Sequence, residues 1–161
     1  MTQPVSILFV CLGNICRSPT AQGVFAKQIQ DAGLQDHIRI DSAGTGHWHV
    51  GKSPDPRATD AARQRGLDLT DQRARQVSLE DFYTFDHILA MDRANHGDLR
   101  SMAPPNADAM VELFLSYARH ADTDEVPDPY YGGESGFTRV LDLITDAGEG
   151  LLAELRSRHG L

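Results

Sequence analysis

The sequence predicts an α/β fold: a single doubly wound domain with a parallel four-stranded sheet flanked by helices. Residues 6–10 (SILFV) form a continuous apolar run with β-branched and aromatic members, which is typical of a strand buried on both faces of a parallel sheet. Further along, short apolar runs alternate with segments of helical periodicity, and this order favours parallel strands joined by right-handed crossovers. No linker, internal repeat or low-complexity tract interrupts the 161 residues, so we expect one domain over residues 1–161.

The first helix follows the first strand after a short polar segment. Ser18 and Pro19 together predict a helix start, with the hydroxyl as N-cap and the proline in the first turn. Apolar residues at helical spacing continue to Ile29, and Gly33 is expected near the end of the helix.

The second strand is predicted around Ile38 and Ile40, which alternate with polar residues. It is expected to close into a turn at residues 41–44 (DSAG), followed by a glycine-rich loop at 44–55. The remaining elements are predicted as a helix at 56–65 stopped by Gly66, a helical turn at 80–82, a strand at 87–91, a helix capped by Asp92, a strand or helix at 110–115, an acidic loop at 122–133 and an amphipathic helix at 134–159.

Composition and charge exclude several classes of function. The net charge of −8 argues against nucleic acid or an anionic membrane as the main partner, so an anionic substrate would need a local pocket. No apolar run approaches the ~20 residues that a membrane span needs. The first residues lack the basic region of a signal peptide, so we expect a cytoplasmic protein with no membrane insertion.

The segment between the first strand and the first helix carries the candidate chemistry. It reads Cys11-Leu12-Gly13-Asn14-Ile15-Cys16-Arg17-Ser18. Thiolate is the reactive form of cysteine, and a helix N-terminus and a cation both favour that form. Successive amides that curl into a helix start also make a nest for phosphate oxygens. The segment therefore predicts a phosphate-binding loop after the first strand, with a nucleophilic thiol.

Other residues of the loop fit this interpretation. Gly13 and Asn14 best tolerate the unusual backbone angles of such a curl. Arg17 can pair bidentately with phosphoryl oxygens, and Ser18 can donate a hydrogen bond to the sulfur of Cys11. The alternative, a buried structural cysteine at a strand end, is common when a cysteine stands alone. The combination of residue types favours chemistry at Cys11.

A phosphate monoester of tyrosine also needs an acid to protonate its leaving group. Asp128 is the candidate, since it lies between Pro127 and Pro129 and precedes Tyr130 and a second tyrosine that can line a pocket. The alternative is a plain turn, because Pro-Asp-Pro followed by glycines is a good turn signal in its own right.

Two motifs together resemble the signature of the low-molecular-weight protein tyrosine phosphatases. They are CLGNICRSP at residues 11–19, after an apolar strand, and DPYYGG at 128–133. The resemblance extends over nearly the whole chain: ILFVCLGNICRSP, DSAGT, RARQVSLEDF, FDHILAMD and VPDPYYGG follow in the family's order and at its spacing.

The resemblance implies protein-tyrosine-phosphatase activity through a phosphocysteine intermediate, without metal or other cofactor. It implies that Cys11 is the nucleophile, that Arg17 binds the phosphoryl group, and that Asp128 is the acid and then the base. It also implies a set of substrate-binding and loop-supporting residues, namely Leu12, Gly13, Asn14, Ile15, Cys16, Ser18, Ser42, Trp48 and Tyr130. The expected partner is a phosphotyrosine-containing protein, with a cognate tyrosine kinase as one candidate, while the oligomeric state stays open.

Two positions leave alternatives open. Many family members have a histidine where this chain has Gln72, and glutamine can still donate and accept in the loop network. Cys16 either captures an oxidised Cys11 as a reversible disulfide, which the resemblance supports, or merely packs under the loop.

Two rival functions are weighed against a phosphatase. An arsenate reductase of the same fold needs further cysteines downstream to resolve the oxidised thiol, and this chain has none after Cys16. A catalytically inactive phosphate-binding module would be expected to lack Cys11, Arg17 or Asp128, and all three are present. His47 and His49 are assigned no role.

Overall fold

A parallel four-stranded sheet forms the centre of the computed structural model, which describes residues 3–129 and 133–161. Its strand order is β2-β1-β3-β4. The strands are β1 (Val5–Cys11), β2 (Ile38–Gly44), β3 (His87–Ala90) and β4 (Met110–Leu113). Every residue of β1 is buried, as its apolar run predicts for a central strand. The predicted fold class and the parallel sheet are confirmed.

Five α-helices are seen in the described part of the chain: α1 (Arg17–Asp31), α2 (Pro56–Arg63), α3 (Asp81–Thr84), α4 (Arg93–Met102) and α5 (Glu134–His159). The predicted cap at Asp92 is confirmed, because its carboxylate accepts the backbone N–H of Asn95 at 2.8 Å. Gly33 and Gly66 follow α1 and α2 with φ of 71° and 77°, a conformation that favours glycine where a helix ends.

Two apolar layers enclose the sheet. On one face, Phe9 of β1 packs with Phe25 of α1 and with residues of α5 such as Ile144. On the other face, Leu8 of β1 packs with Leu99 of α4 and with residues around α3. Alternate side chains of one central strand therefore supply both layers, which is the arrangement expected of a doubly wound sheet.

Two local predictions were wrong. Residues 41–44 were predicted as a turn, but β2 continues through them to Gly44, which pairs with Cys11. The ladder to β1 outweighs the local turn preference of Asp, Ser and Gly. Ser18 was predicted as N-cap, but α1 begins at Arg17 with Cys16 in the cap position, and no side chain caps it. Ser18 is instead fully buried in the first turn.

The segment at 110–115, for which strand and helix were both open, divides between two structures. Met110–Leu113 is strand β4, and Phe114–Tyr117 is a 3₁₀ helix. Strands β1 and β3 lie side by side and end on the same side of the sheet, where the connection from β1 (α1) and the connection from β3 (α4) leave toward opposite faces. Such a switch point is where ligands bind in doubly wound folds.

Candidate active site

The segment between β1 and α1 wraps around the sulfur of Cys11. The backbone N–H of Asn14 donates to Sγ at 3.2 Å, and the hydroxyl oxygen of Ser18 lies 3.0 Å from Sγ. Asn14 has φ of 57°, in the left-handed region that asparagine tolerates better than most residues. This confirms the unusual backbone predicted at Asn14, and the sulfur lies at the centre of a curled loop.

The side chain of Asn14 holds this curl in place. Its Nδ2 donates to the hydroxyl oxygens of Ser18 at 2.8 Å and Ser42 at 3.0 Å, while its Oδ1 accepts the backbone N–H of Arg75 at 3.0 Å. Because Asn14 is buried, these bonds satisfy polar atoms that water does not reach. They also offset the cost of the left-handed backbone.

Gln72 completes this network. Its Oε1 accepts from the hydroxyl of Ser42 at 3.4 Å, and its Nε2 donates to the backbone carbonyl of Pro19 at 3.0 Å. The amide therefore both accepts and donates, as the sequence analysis allowed. The polar support of the loop is present with glutamine at this position.

Two glycines allow the loop to lie close to its surroundings. A Cβ on Gly44 would lie 2.7 Å from the carbonyl oxygen of Leu12, and one on Gly13 would lie 3.0 Å from Cδ2 of His49. Gly13 does not have the positive φ that the sequence analysis foresaw. The lack of a Cβ at Gly13 instead leaves room for the imidazole of His49.

Arg17 lies at the inner end of the loop and is 4% exposed. Its Nη1 donates to Oδ2 of Asp92 at 2.6 Å and to the carbonyl of Val126 at 3.1 Å, and its Nη2 lies 3.8 Å from Oδ2 of Asp128. Burial alone would lower the pKa of Arg17, but the charges of Cys11 and Asp92 outweigh burial and raise it. The guanidinium therefore stays cationic beside the sulfur.

These groups face one cleft of about 330 Å³. Its lining consists of Cys11, Leu12, Gly13, Ile15, Cys16, Arg17, Trp48, His49 and Asp128. The structure thus brings together the three predicted catalytic residues and most of the predicted substrate-binding residues. Asn14 and Ser18 lie beneath the loop instead of lining the cleft, and Tyr130 lies outside the described residues.

Trp48 forms part of the rim. Its side chain is 62% exposed, and its ring stacks on His47 with 5.6 Å between ring centroids and 19° between planes. The indole lies over the backbone of Gly46, where a Cβ would collide with it. An exposed indole held in this way offers a flat apolar surface at the mouth of the cleft.

Cys16 differs from Cys11 in its surroundings, although both thiols are free. It packs against Ala58 of α2 and Phe137 of α5. Burial, followed by the nearby carboxylate of Asp55, raises the pKa of Cys16 to about 12. Cys16 is therefore a neutral thiol at physiological pH while Cys11 is reduced, so it does not compete with Cys11 for the phosphoryl group.

Three contributions to the site were not predicted from the sequence. Asp92 was seen only as a helix cap, yet its second oxygen holds Arg17. The carbonyl of Val126 also holds Arg17, and a backbone atom has no signature in sequence. His49, assigned no role, lines the cleft, and its Nδ1 is buried without a hydrogen-bond partner among the residues described. Its place next to Trp48 was the only available signal.

Among residues 3–129 and 133–161, no group of three or more His, Cys, Asp or Glu side chains is arranged to hold a metal ion. None of the described helices is long and apolar enough to cross a membrane.

The sequence of this chain is similar to proteins of one enzyme family. A family model for low molecular weight phosphotyrosine protein phosphatases matches residues 6–160. The protein of that name from Schizosaccharomyces pombe is 42% identical over 156 residues, which cover 96% of this chain and 99% of the relative. The low molecular weight protein-tyrosine-phosphatase YfkJ of Bacillus subtilis is 43% identical over 157 residues, covering 98% of this chain and 99% of YfkJ.

Solved structures show the same likeness. The crystal structure of YfkJ aligns with a TM-score of 0.90 at 42% identity and covers 98% of each chain. A protein tyrosine phosphatase from Entamoeba histolytica, crystallised with Hepes in its active site, aligns with a TM-score of 0.93 at 41% identity. That alignment covers 96% of this chain and 99% of the Entamoeba chain.

Proposed function

The chain belongs to the family of low molecular weight phosphotyrosine protein phosphatases, and we infer that it hydrolyses phosphotyrosine through a phosphocysteine intermediate on Cys11. One observation carries this proposal: Cys11, Arg17 and Asp128 face the same cleft, with the sulfur inside a curl of backbone amides. A nucleophile, a phosphate-binding cation and an acid are the three groups that the reaction needs.

The first step forms the intermediate. The thiolate of Cys11 attacks phosphorus, an S–P bond forms, and the bond from phosphorus to the phenolic oxygen breaks. Asp128 gives its proton to that oxygen, so tyrosine leaves as a neutral phenol. Loop amides and Arg17 bind the equatorial oxygens, where charge is spread in the transition state.

The second step releases phosphate. The carboxylate of Asp128 accepts a proton from a water that attacks phosphorus, and the S–P bond breaks. The electron pair returns to Cys11 as thiolate, which the hydroxyl of Ser18 can stabilise from its position 3.0 Å away. Inorganic phosphate is the product, and Asp128 is again protonated for the next turnover.

The cleft walls fit a flat substrate ring. Leu12 and Ile15 project from the loop, and Trp48 stands at the rim. We assign these three residues to the binding of the tyrosyl ring, together with Tyr130 on the strength of the family resemblance. A ring bound between them would place its phosphate on the loop at the base of the cleft.

The cellular setting is inferred from the thiols and from the reaction. Both cysteines are free, and a reducing compartment keeps Cys11 usable, so we place the protein in the cytoplasm as a single domain over residues 1–161. Its partner is a phosphotyrosine-containing protein, with a cognate tyrosine kinase as one candidate. Capture of phosphoproteins from a lysate by Asp128→Ala would identify that substrate.

A test of the activity uses p-nitrophenyl phosphate with a chelator present. We expect turnover by the wild-type protein and none by Cys11→Ser, which should still bind phosphate or vanadate, because amides and Arg17 do most of the binding. Activity of Cys11→Ser within about tenfold of wild type would refute Cys11 as nucleophile, since covalent catalysis depends on the thiolate. A wild-type protein that binds phosphate without turnover would instead support a binding module.

A further inference from the structure

Asp128, the proposed acid, lies in a segment without helix or strand, and its side chain is 41% exposed. An acid must lie within hydrogen-bond reach of the leaving oxygen, and a misplacement on the order of 1 Å can cost about 10²-fold in rate. The contacts that hold this segment against the rest of the site should therefore affect the rate of the reaction.

A buried anchor lies two residues before Asp128. Val126 is fully buried; its N–H donates to the carbonyl of Met91 at 2.7 Å, and its carbonyl accepts from Arg17 at 3.1 Å. This anchor fixes the distance of the acid segment from the end of β3.

A second anchor adjoins it on the surface. The carboxylate of Glu125 accepts the backbone N–H of Arg93, the first residue of α4, at 2.9 Å. The guanidinium of Arg93 lies 3.8 Å from the other oxygen of Glu125 and donates to Asp124 at 2.5 Å. Glu125 thus satisfies a helix N–H that has no partner within the helix, at the end where negative charge is favoured.

The two anchors restrain the acid segment in two directions. Val126 attaches it to the sheet edge, and Glu125 attaches it to the start of α4, whose cap Asp92 holds Arg17. We propose that Glu125, docked on the N-terminus of α4 together with Arg93, is a positioning residue that aims Asp128 at the leaving group. The proposal rests on the proposed function of Asp128 as acid.

The exposure of the side chains in this second anchor distinguishes a role in positioning the acid from a contribution to folding stability. Arg93, Asp124 and Glu125 are 66%, 42% and 40% exposed in their side chains, and ion pairs as exposed as these add little to folding. Their removal should therefore change the reaction with little change in unfolding. The change should be confined to substrates that need the acid.

The test compares kcat/KM for two substrates, because this parameter reports the steps through formation of the phosphocysteine. Phenyl phosphate has a basic leaving group and needs the acid, whereas p-nitrophenyl phosphate has a more acidic phenol and needs it less. For Glu125→Ala we expect a loss between about 10-fold and about 10²-fold with phenyl phosphate, and a much smaller loss with p-nitrophenyl phosphate. Arg93→Ala keeps the backbone N–H and should lose less.

Glu154→Ala is the matched control. Glu154 pairs with Arg158 at 2.9 Å on the exposed side of α5 and is 46% exposed, so the same type of change is made away from the cleft. Its kcat/KM should equal that of wild type with both substrates. Urea unfolding should give similar midpoints for all these variants. If Glu125→Ala does not fold, Glu125→Gln is measured instead, with the same ordering of the two substrates expected.

A double-mutant cycle with Asp128→Asn completes the test. Without the acid there is nothing left to aim, so adding Glu125→Ala to Asp128→Asn should cause no further loss with phenyl phosphate. Additive losses, or equal losses of Glu125→Ala with both substrates, would overturn the positioning role. If Asp128→Asn itself lowers kcat/KM equally for both substrates, Asp128 is not the acid. The cycle therefore distinguishes a failure of the positioning role of Glu125 from a failure of the acid role of Asp128.

Discussion

Replacing Gly44 with alanine tests how closely β2 and the catalytic loop must approach. The added Cβ would lie 2.7 Å from the carbonyl oxygen of Leu12 and 3.2 Å from the backbone carbon of Gly13. Leu12 would have to move by at least 0.3 Å to reach the 3.0 Å limit of real contacts, and by 0.7 Å to reach the 3.4 Å of an ordinary one. The neighbour is backbone, so no side-chain rotation relieves the contact.

Two opposing contributions determine how much Gly44→Ala changes the free energy of unfolding. Alanine in place of glycine in a strand should favour folding by about 0.5–1 kcal/mol through backbone entropy. Forcing an extra carbon into a packed site costs about 1–3 kcal/mol. The difference leaves a range of about 0–2.5 kcal/mol, and we expect Gly44→Ala to lower the free energy of unfolding by about 1 kcal/mol, a decrease of roughly 0.5 M in the urea midpoint.

The same shift should misalign the loop amides and lower kcat/KM by about 10-fold or more. Gly97→Ala is the control, because a Cβ on Gly97 in α4 meets nothing within 4 Å. That variant should be more stable by about 0.5–1 kcal/mol and fully active. If Gly44→Ala keeps both the wild-type midpoint and the wild-type kcat/KM, the argument from close approach is wrong.

Four more predictions concern charge, protonation and thiol oxidation. Arg17→Lys should weaken inhibition by phosphate at least about 10-fold and lower the rate, since one hydrogen bond to a charged group contributes roughly 1.5–3 kcal/mol; unchanged inhibition would contradict it. Iodoacetamide should label Cys11 well before Cys16 from neutral pH up to about 9, because the pKa of Cys16 is raised to about 12; equal labelling in peptide mass spectra would refute this. After peroxide and then dithiothreitol, Cys16→Ser should recover activity poorly compared with wild type, and equal recovery would leave Cys16 with packing alone. Burial lowers the pKa of His87, so the unfolded chain binds this proton first, and the contribution of His87 to stability is lost as pH falls below about 6.5. Urea midpoints should accordingly fall less for His87→Leu than for wild type between pH 7.5 and pH 5.5, and parallel losses would exclude His87 as the cause.

The sequence predicted the catalytic loop well because its parts are consecutive. Cys11, Arg17 and Ser18 lie within one strand-to-helix connection, so their proximity follows from the chain itself. Asp128 could be placed beside them only because the two motifs, CLGNICRSP and DPYYGG, together resemble the family signature. No local rule brings a residue of the acidic loop to the end of β1.

The sequence could not show contacts made by backbone atoms. It also could not show that one side chain makes two separate contacts. The carbonyl of Val126 and the second oxygen of Asp92 both hold Arg17, yet one has no residue signature and the other already had a role as a helix cap. The turn predicted at residues 41–44 was wrong for a related reason. Local preferences of Asp, Ser and Gly were visible, whereas the ladder from Ser42 and Gly44 to β1 was not.

The packing of α1 against α5 has a consequence for how the protein is made. The apolar side of α1, with Val24 and Phe25, is covered by residues of α5, which begins only at Glu134. A chain emerging from the ribosome presents the Cys11 segment long before that cover has been synthesised. Because the N-terminus of α1 closes the loop around the thiol, we expect the loop to reach its final shape among the last events of biogenesis. Incomplete chains would then carry an ordinary cysteine, and the hydrolytic centre would arise only in molecules able to fold completely.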